Sequence, residues 1–211
     1  MTGMPRPVVI LGHGGHARVV ADICRAAKRE VRGFLDRQGV HESASVLGGD
    51  DLLDDRAFVE SHEYVVGIAD QRIRRRLAGL VRAKGGVLAS VIHPSAVVAP
   101  AVAIGAGVVV VAGCVVNPGA VLGDLVIVNT GATVDHDCVL NEGVHVCPGA
   151  HLTGNVVCGE YAFLGAGAIV IPGRAIGAWA VVGAGAVVIS DVTDGVTVVG
   201  CPARAIKNAG C

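Results

Sequence analysis

From Val98 to Val188 every sixth residue is aliphatic or a cysteine, sixteen positions in a row without an insertion. Two residues before each stands Ala, Val or Cys, with Arg174 the one exception. Side chains two apart point the same way along a strand. A strict hexad with paired inward positions therefore predicts a β-helix, in which short strands wind around a prism filled by small side chains. In the left-handed form three hexads complete one lap, so residues eighteen apart stack at the strand spacing of about 4.8 Å. The residues after the inward aliphatic ones are often Gly, Asn or Asp, among them Gly105, Asn117, Gly123, Asn129, Asp135, Gly159 and Gly165. These types are suited to tight turns, and the pattern predicts the turns there.

Between the two inward positions of each hexad stands an outward one, and it too is mostly Val, Ile or Ala. An exterior that apolar calls for a cover, most simply other copies of the chain. Thr133, His145 and His151 are the polar exceptions, and they fall in the middle coils. Aromatic residues are only 3% of the chain, which suits thin layers of β-branched side chains. No Lys, Arg, Asp or Glu occurs from Gly85 to Gly123, but Pro100, Pro118 and recurrent Gly exclude a membrane-spanning helix there. A net charge of −1 provides no basic field for nucleic acid or anionic lipid. Seven scattered cysteines without CxxC pairs, and no secretory signal, predict a cytoplasmic protein with reduced thiols.

The first ninety residues have a different pattern. "PVVILGHGGHARVVADICRAAKREVRGFLD" reads as a strand at Val8–Leu11, a glycine-rich turn, an amphipathic helix over about 16–28 and a second strand ending at Asp36. "EYVVGIADQRIRRRLAGLVRAKGGVLASVI" supplies a further strand, helix and strand. The alternation predicts a small parallel βαβαβ domain over 1–92, a coil over 93–190 and a tail over 191–211. Gly12-x-Gly14-x-x-Ala17, with Asp36 some twenty residues on, fits a turn whose backbone N–H groups meet a phosphate at a helix N-terminus. Ninety residues hold only half of a dinucleotide fold, so a mononucleotide handle is expected.

Taken together, "GHGGHARVVAD", "GFLD", "NTGATVDHDC", "HVCPGAHLTGNV", the hexads and the closing "GCPARAIK" resemble one family over nearly the whole chain. It is that of the bacterial acetyl-CoA-dependent acetyltransferases acting on nucleotide-linked amino sugars, as in the bacillosamine and perosamine pathways, with sialic-acid-related homologues. The resemblance implies a nucleotide-sugar-binding α/β domain, a left-handed β-helix, a homotrimer, active sites at the seams between subunits, and no metal. It puts the catalytic base on His136 and an acidic partner on Asp137, where the family often has Glu; Asp135 is the alternative orienter. Gly154 falls on the N–H facing the thioester carbonyl, His145 near the acetyl group, and Asn129 on the wall of the site. Coenzyme A is expected along Gly165, Ala166, Gly167 and Ala168 and at Pro202 and Arg204. The nucleotide-sugar is expected at Gly12, Gly14, Gly15, His16, Asp36, Arg37 and Asp70, with UDP, GDP and dTDP all open.

The chemistry is consistent with these residue types. Attack of a sugar amine on a thioester needs a base near neutral pKa, a group that orients it and a donor for the developing oxyanion. Counting alone puts Gly154 one lap above His136. The same base would serve acetylation of a sugar hydroxyl, which is the nearest alternative. A γ-class carbonic-anhydrase-like zinc site would need three converging imidazoles. His136, His145 and His151 occupy a corner and two different faces.

Overall fold

The computed structural model describes residues 6–36 and 45–206, and the chain divides into two compact units at Pro94/Ser95. In the first unit a parallel five-stranded sheet has the order β3-β2-β1-β4-β5. The strands are β1 (Val8–Leu11), β2 (Val31–Leu35), β3 (Val46–Gly48), β4 (Glu63–Val66) and β5 (Val87–Leu88). β1 lies at the centre, and all four of its residues are fully buried, as the unbroken apolar run VVIL requires. Helix α1 (Gly15–Ala26) buries Ala17, Val20, Ala21 and Cys24 along one stripe. It stops at Ala26, short of the predicted 28, because Lys28 takes a left-handed backbone with φ 56°.

Between Asp36 and Glu63 the pattern predicts nothing, yet the structure has β3, a 3₁₀ turn (Asp50–Asp54) and α2 (Arg56–Ser61). A three-residue edge strand and a six-residue helix are too short to show a period. The signal that was available is Asp55, whose carboxylate caps α2 by accepting from Ala57 N (2.9 Å) and Phe58 N (3.3 Å). Helix α3 (Gln71–Ala83) completes the unit.

The second unit is a parallel β-solenoid of about six turns, the left-handed β-helix the hexads predict. From Val97 to Val188 the strand pairings link residues eighteen apart: Val115 with Thr133, Thr133 with His151, Val139 with Val157, Ile127 with His145. The inward positions from Val110 to Val188 are buried, with the half-exposed Arg174 the exception. The apolar stretch before Gly123 is therefore a series of two-residue strands, and no described helix is long and apolar enough to cross a membrane.

One detail differs from the pattern. The left-handed residues lie two places beyond the predicted turn positions, at Gly107, Gly113, Gly119, Gly131, Asp137, Gly149, Gly167 and their equivalents. The glycines directly after the inward residue answer a different need, because there each coil touches the next. A β-carbon at Gly165 would lie 2.5 Å from the amide nitrogen of Ala184 in the coil above, and one at Gly159 equally close to that of Ala178.

The outward positions divide by face. Val109, Ile127 and His145 are buried, whereas Val97, Val121, Val157 and Ile169 are exposed. Of the residues predicted as a tail, those up to 206 extend the coil: Val192 bridges Ile176, Thr197–Val199 pairs with the strand Val181–Val182, and Arg204–Ala205 folds back antiparallel; 207–211 lie outside the described residues.

Candidate active site

The polar cluster occupies one corner of the prism, between the strands Thr133–Val134 and Val139–Leu140. Asp135, His136 and Asp137 form its three corner positions. Asp137 takes the left-handed one with φ 59°, a conformation that Asp and Asn tolerate better than other non-glycine residues. Its Oδ2 lies 2.8 Å from His136 Nδ1, so the shorter acid reaches the ring. Nδ1–H donates to this carboxylate, which leaves the lone pair on Nε2. Asp135 does not touch the ring: its Oδ1 accepts from the His136 backbone N–H (2.8 Å) and from Asn117 Nδ2 (2.8 Å). Those two bonds hold the Asp135 carboxyl below the usual carboxylate range. The bond to Asp137 raises the His136 pKa above the ordinary histidine value, with the charges of Asp135 and Asp137 adding to it against slight desolvation.

Gly154 lies one lap above. A β-carbon there would fall 2.5 Å from Cε1 and Nε2 of His136, so the ring lies across the bare Cα. The backbone N–H at this second corner position is outside the strand ladder. At other corners a side chain accepts it: Asp124 for Ala106, Asn129 for Thr130, Asp194 for Ala178, each at 2.8 Å. No acceptor for the Gly154 N–H is seen among the described residues, because Thr153 Oγ1 turns instead to Val170 O (2.7 Å). A base and a donor that has no bond to the described residues thus share one corner.

Asn129 and His145 form a second group. Asn129 Oδ1 accepts from Thr130 N (2.8 Å), which turns its Nδ2 toward Nε2 of the buried His145 at 3.3 Å. The His145 ring also meets Phe163 edge-on, 5.3 Å between centroids. Asn129 is on the same corner as Gly165 and Gly167, two coils above it, and that corner is not the one carrying His136. Both corners flank the face of Thr133, His151 and Ile169. Gly165 is required by coil contact, Gly167 by its φ of +67°, and Ala168 is a buried filler, whereas Ala166 is exposed. Pro202 follows a cis peptide. Arg204 borders a groove of about 460 Å³ at the end of the coil, together with Asp191 and Thr193. His145 and His151 lie on different sheets, and the Nδ1 of His151 is engaged by Thr133 Oγ1 at 2.9 Å.

In the first unit, Gly12, Gly14, Gly15, His16 and Asp36 line one pocket of about 300 Å³ with His13, Gly67, Ile68 and Ala69. It opens at the carboxyl ends of β1, β2 and β4. The chain leaves β1 to one side for β2 and returns on the other for β4, which makes this the switch point where parallel sheets bind ligands. Gly12 has φ +95°, and a β-carbon on it would meet Ile68; none would meet anything within 4 Å at Gly14, which leaves its amide approachable. Asp36 Oδ2 accepts from His13 N (2.9 Å). Burial, aided by Arg74, lowers the His16 pKa to about 4, so that its ring is neutral at neutral pH.

Asp70 lines neither this pocket nor its neighbour. It caps α3, with Oδ1 accepting from Ile73 N at 2.8 Å. Arg37 lies outside the described residues. His13, Ile68 and Arg76 join the lining without having been predicted, although the ends of three parallel strands would have pointed to the first two. Arg74, fully buried with Nη1 2.6 Å from Ala69 O, gives no sequence signal, since arginine in a helix normally reads as surface.

A coil of hexads bearing such a corner, with a switch-point pocket in a separate α/β unit, has the build of a hexapeptide-repeat acyltransferase. The comparisons give the narrower group. The PglD N-terminal domain family model matches residues 7–80. The acetyltransferase domain of PglB from Neisseria gonorrhoeae FA1090 is 42% identical, with 95% of this chain and 100% of that one covered and a TM-score of 0.91. A variant of perosamine N-acetyltransferase from Caulobacter crescentus, in complex with CoA and GDP-perosamine, is 43% identical over 96% and 97% of the two chains, TM-score 0.91. WeeI from Acinetobacter baumannii AYE is 27% identical over 95% and 99%, TM-score 0.86. No curated protein matched. The chain belongs to the nucleotide-sugar acetyltransferases of the hexapeptide-repeat family.

Proposed function

We propose that the protein transfers the acetyl group of acetyl-CoA to the amine of a nucleotide-linked 4-amino-4-deoxy sugar, by direct attack and without an acyl-enzyme. The amine nitrogen adds to the thioester carbonyl while its proton passes to His136 Nε2. The tetrahedral oxyanion is met by the Gly154 N–H. Collapse breaks the C–S bond, and the imidazolium returns the proton to the departing thiolate. Asp137 fixes the tautomer and supports the imidazolium. Cys138 and Cys147 are buried in the coil, and Cys138 Sγ is spent on Thr153 O (3.1 Å), which favours direct attack over a cysteine nucleophile.

The observation that carries this reading is the stacking of the His136 ring on Gly154 beside an amide with no bond to the described residues. The first unit holds the nucleotide at the Gly12–His16 turn and Asp36. The split between two corners supports a homotrimer: a neighbouring copy bringing its Asn129/Gly165 corner against the His136 corner completes the site at a seam. The exposed Val121, Val157 and Ile169 supply apolar surface for that contact. CoA and GDP-perosamine, bound by the Caulobacter enzyme, indicate the ligand classes to test first. His136→Asn is expected to lower kcat by a factor on the order of 10² or more, with folding preserved. Full activity in that variant on UDP-, GDP- and dTDP-linked amino sugars refutes the assignment.

A further inference from the structure

The first corner position in the column containing Asp135 reads Ala99, Asn117, Asp135, Thr153, Ile171 from the bottom coil upward. It is apolar at both ends and polar only in the three laps around His136. Coil stacking does not require this, since Ala and Ile serve at either end of the same column. The two lower members are joined: Asn117 Nδ2 donates to Asp135 Oδ1 across the laps, on the same oxygen that receives the His136 N–H. Other corners manage with a single carboxylate or amide as acceptor for that N–H, as Ala106 does with Asp124 and Ala178 with Asp194. At this corner the acceptor is the residue next to His136, and a side chain of the coil below, Asn117, donates to the same oxygen.

We infer that Asn117 and Asp135 are a positioning pair for the catalytic base. Asn117 fixes the Asp135 carboxylate, and Asp135 fixes the backbone from which the His136 ring extends over Gly154, while keeping a negative charge beside the imidazole. The inference rests on His136 being the base. A division of labour follows from the geometry. Asp137 bonds the ring and sets its tautomer; Asp135, bonded only to backbone and to Asn117, sets where the ring starts. The charges acting on the imidazole are those of Asp135 and Asp137, and its neighbours Asn117, Gly119, Gly154 and Asn155 are neutral.

The test uses the full chain with acetyl-CoA and the nucleotide-linked amino sugar that the wild type turns over, GDP-perosamine being the first tried. Asn117→Ala is expected to lower kcat about 10-fold with both KM values near wild type, as for a small misplacement of a catalytic group. Asp135→Ala should lose at least as much, and the Asn117→Ala/Asp135→Ala double variant no more than Asp135→Ala alone, because Asn117 acts through Asp135. Asp135→Asn should lose less, since its amide oxygen still accepts both bonds, but should move the acid limb of the kcat profile to lower pH. A merely structural ladder would instead show additive losses that track thermal melting, with the acid limb in place; that result, or wild-type kcat in Asn117→Ala, overturns the inference. Titration of the His136 ring by NMR in Asp135→Asn needs no turnover. If His136→Asn is fully active, the assignment of the base has failed, and an unmoved His136 titration in Asp135→Asn rejects the pair on its own.

Discussion

Gly154→Ala isolates placement from chemistry. The new β-carbon would sit 2.5 Å from Nε2 and Cε1 of His136, against about 3.5 Å for an ordinary contact between nonbonded heavy atoms. Something must move by roughly 1 Å. Gly154 has no left-handed φ, so its backbone accepts alanine, and the obstructing ring is an exposed side chain that can swing away. Its bond to Asp137, now 2.8 Å, would stretch beyond hydrogen-bonding reach with the same displacement. Folding should therefore change little, whereas a 1 Å misplacement of a reacting group costs on the order of 10² in rate. The Gly154 N–H remains in the variant, so the loss reports the ring rather than the donor. Steady-state release of CoA, with thermal melting as control, measures both. A kcat within two-fold of wild type would show that the ring need not lie on Gly154, and the proposed geometry would be wrong.

Two further outcomes follow from particular bonds. Since His136 must be neutral to accept a proton and its bond to Asp137 raises its pKa, the acid limb of kcat should lie above the ordinary histidine value of about 6.5. Asp137→Asn removes the main cause of the rise, so the limb should move to lower pH while the plateau falls; a limb that stays in place separates the limb from His136. In the first unit, Asp70→Ala should cost about 1 kcal/mol through loss of the α3 cap, and Asp70→Ser, which can still cap, should restore most of it. Denaturant unfolding compares the three, and a stability equal to wild type in Asp70→Ala would show that the cap bond carries no weight.

Much of the coil was legible because its constraint is local and repeated. One aliphatic residue per hexad fixes which side chains face in, and three hexads per lap fix which residues stack, so the meeting of His136 and Gly154 followed from counting. The turn positions were misplaced because glycine serves two needs in each hexad. Gly105 and Gly165 are small so that the next coil can approach, whereas Gly107 and Gly167 are left-handed, and composition does not separate the two. The α/β unit was less legible. β1 shows itself as an unbroken apolar run, but β3 and α2 are too short for periodicity, and Asp70 reads as a ligand-facing acid although it caps a helix. The role of the second corner came only from resemblance, since counting places Asn129 and His136 on different edges of the prism but does not join them in one site.

The corner also explains why a polar cluster can exist in so apolar a stretch. Its left-handed column reads Gly119, Asp137, Asn155, Gly173, and the two residues that are not glycine are of the types best suited to that backbone. Gly119 has a second duty, since a β-carbon there would collide with the carboxylate of Asp137 one lap above. Each part of the proposed apparatus is therefore cleared by a glycine in an adjacent coil: Asp137 by Gly119 below, His136 by Gly154 above. Strand pairing at a fixed eighteen-residue register holds these clearances. An insertion of one residue anywhere between Gly119 and Gly154 would turn the later side chains to the opposite face of their strands and would slide a neighbour with a β-carbon under the acid or over the ring. The coil tolerates sequence change along its length far better than it tolerates a change of count here, and the chemistry depends on the count.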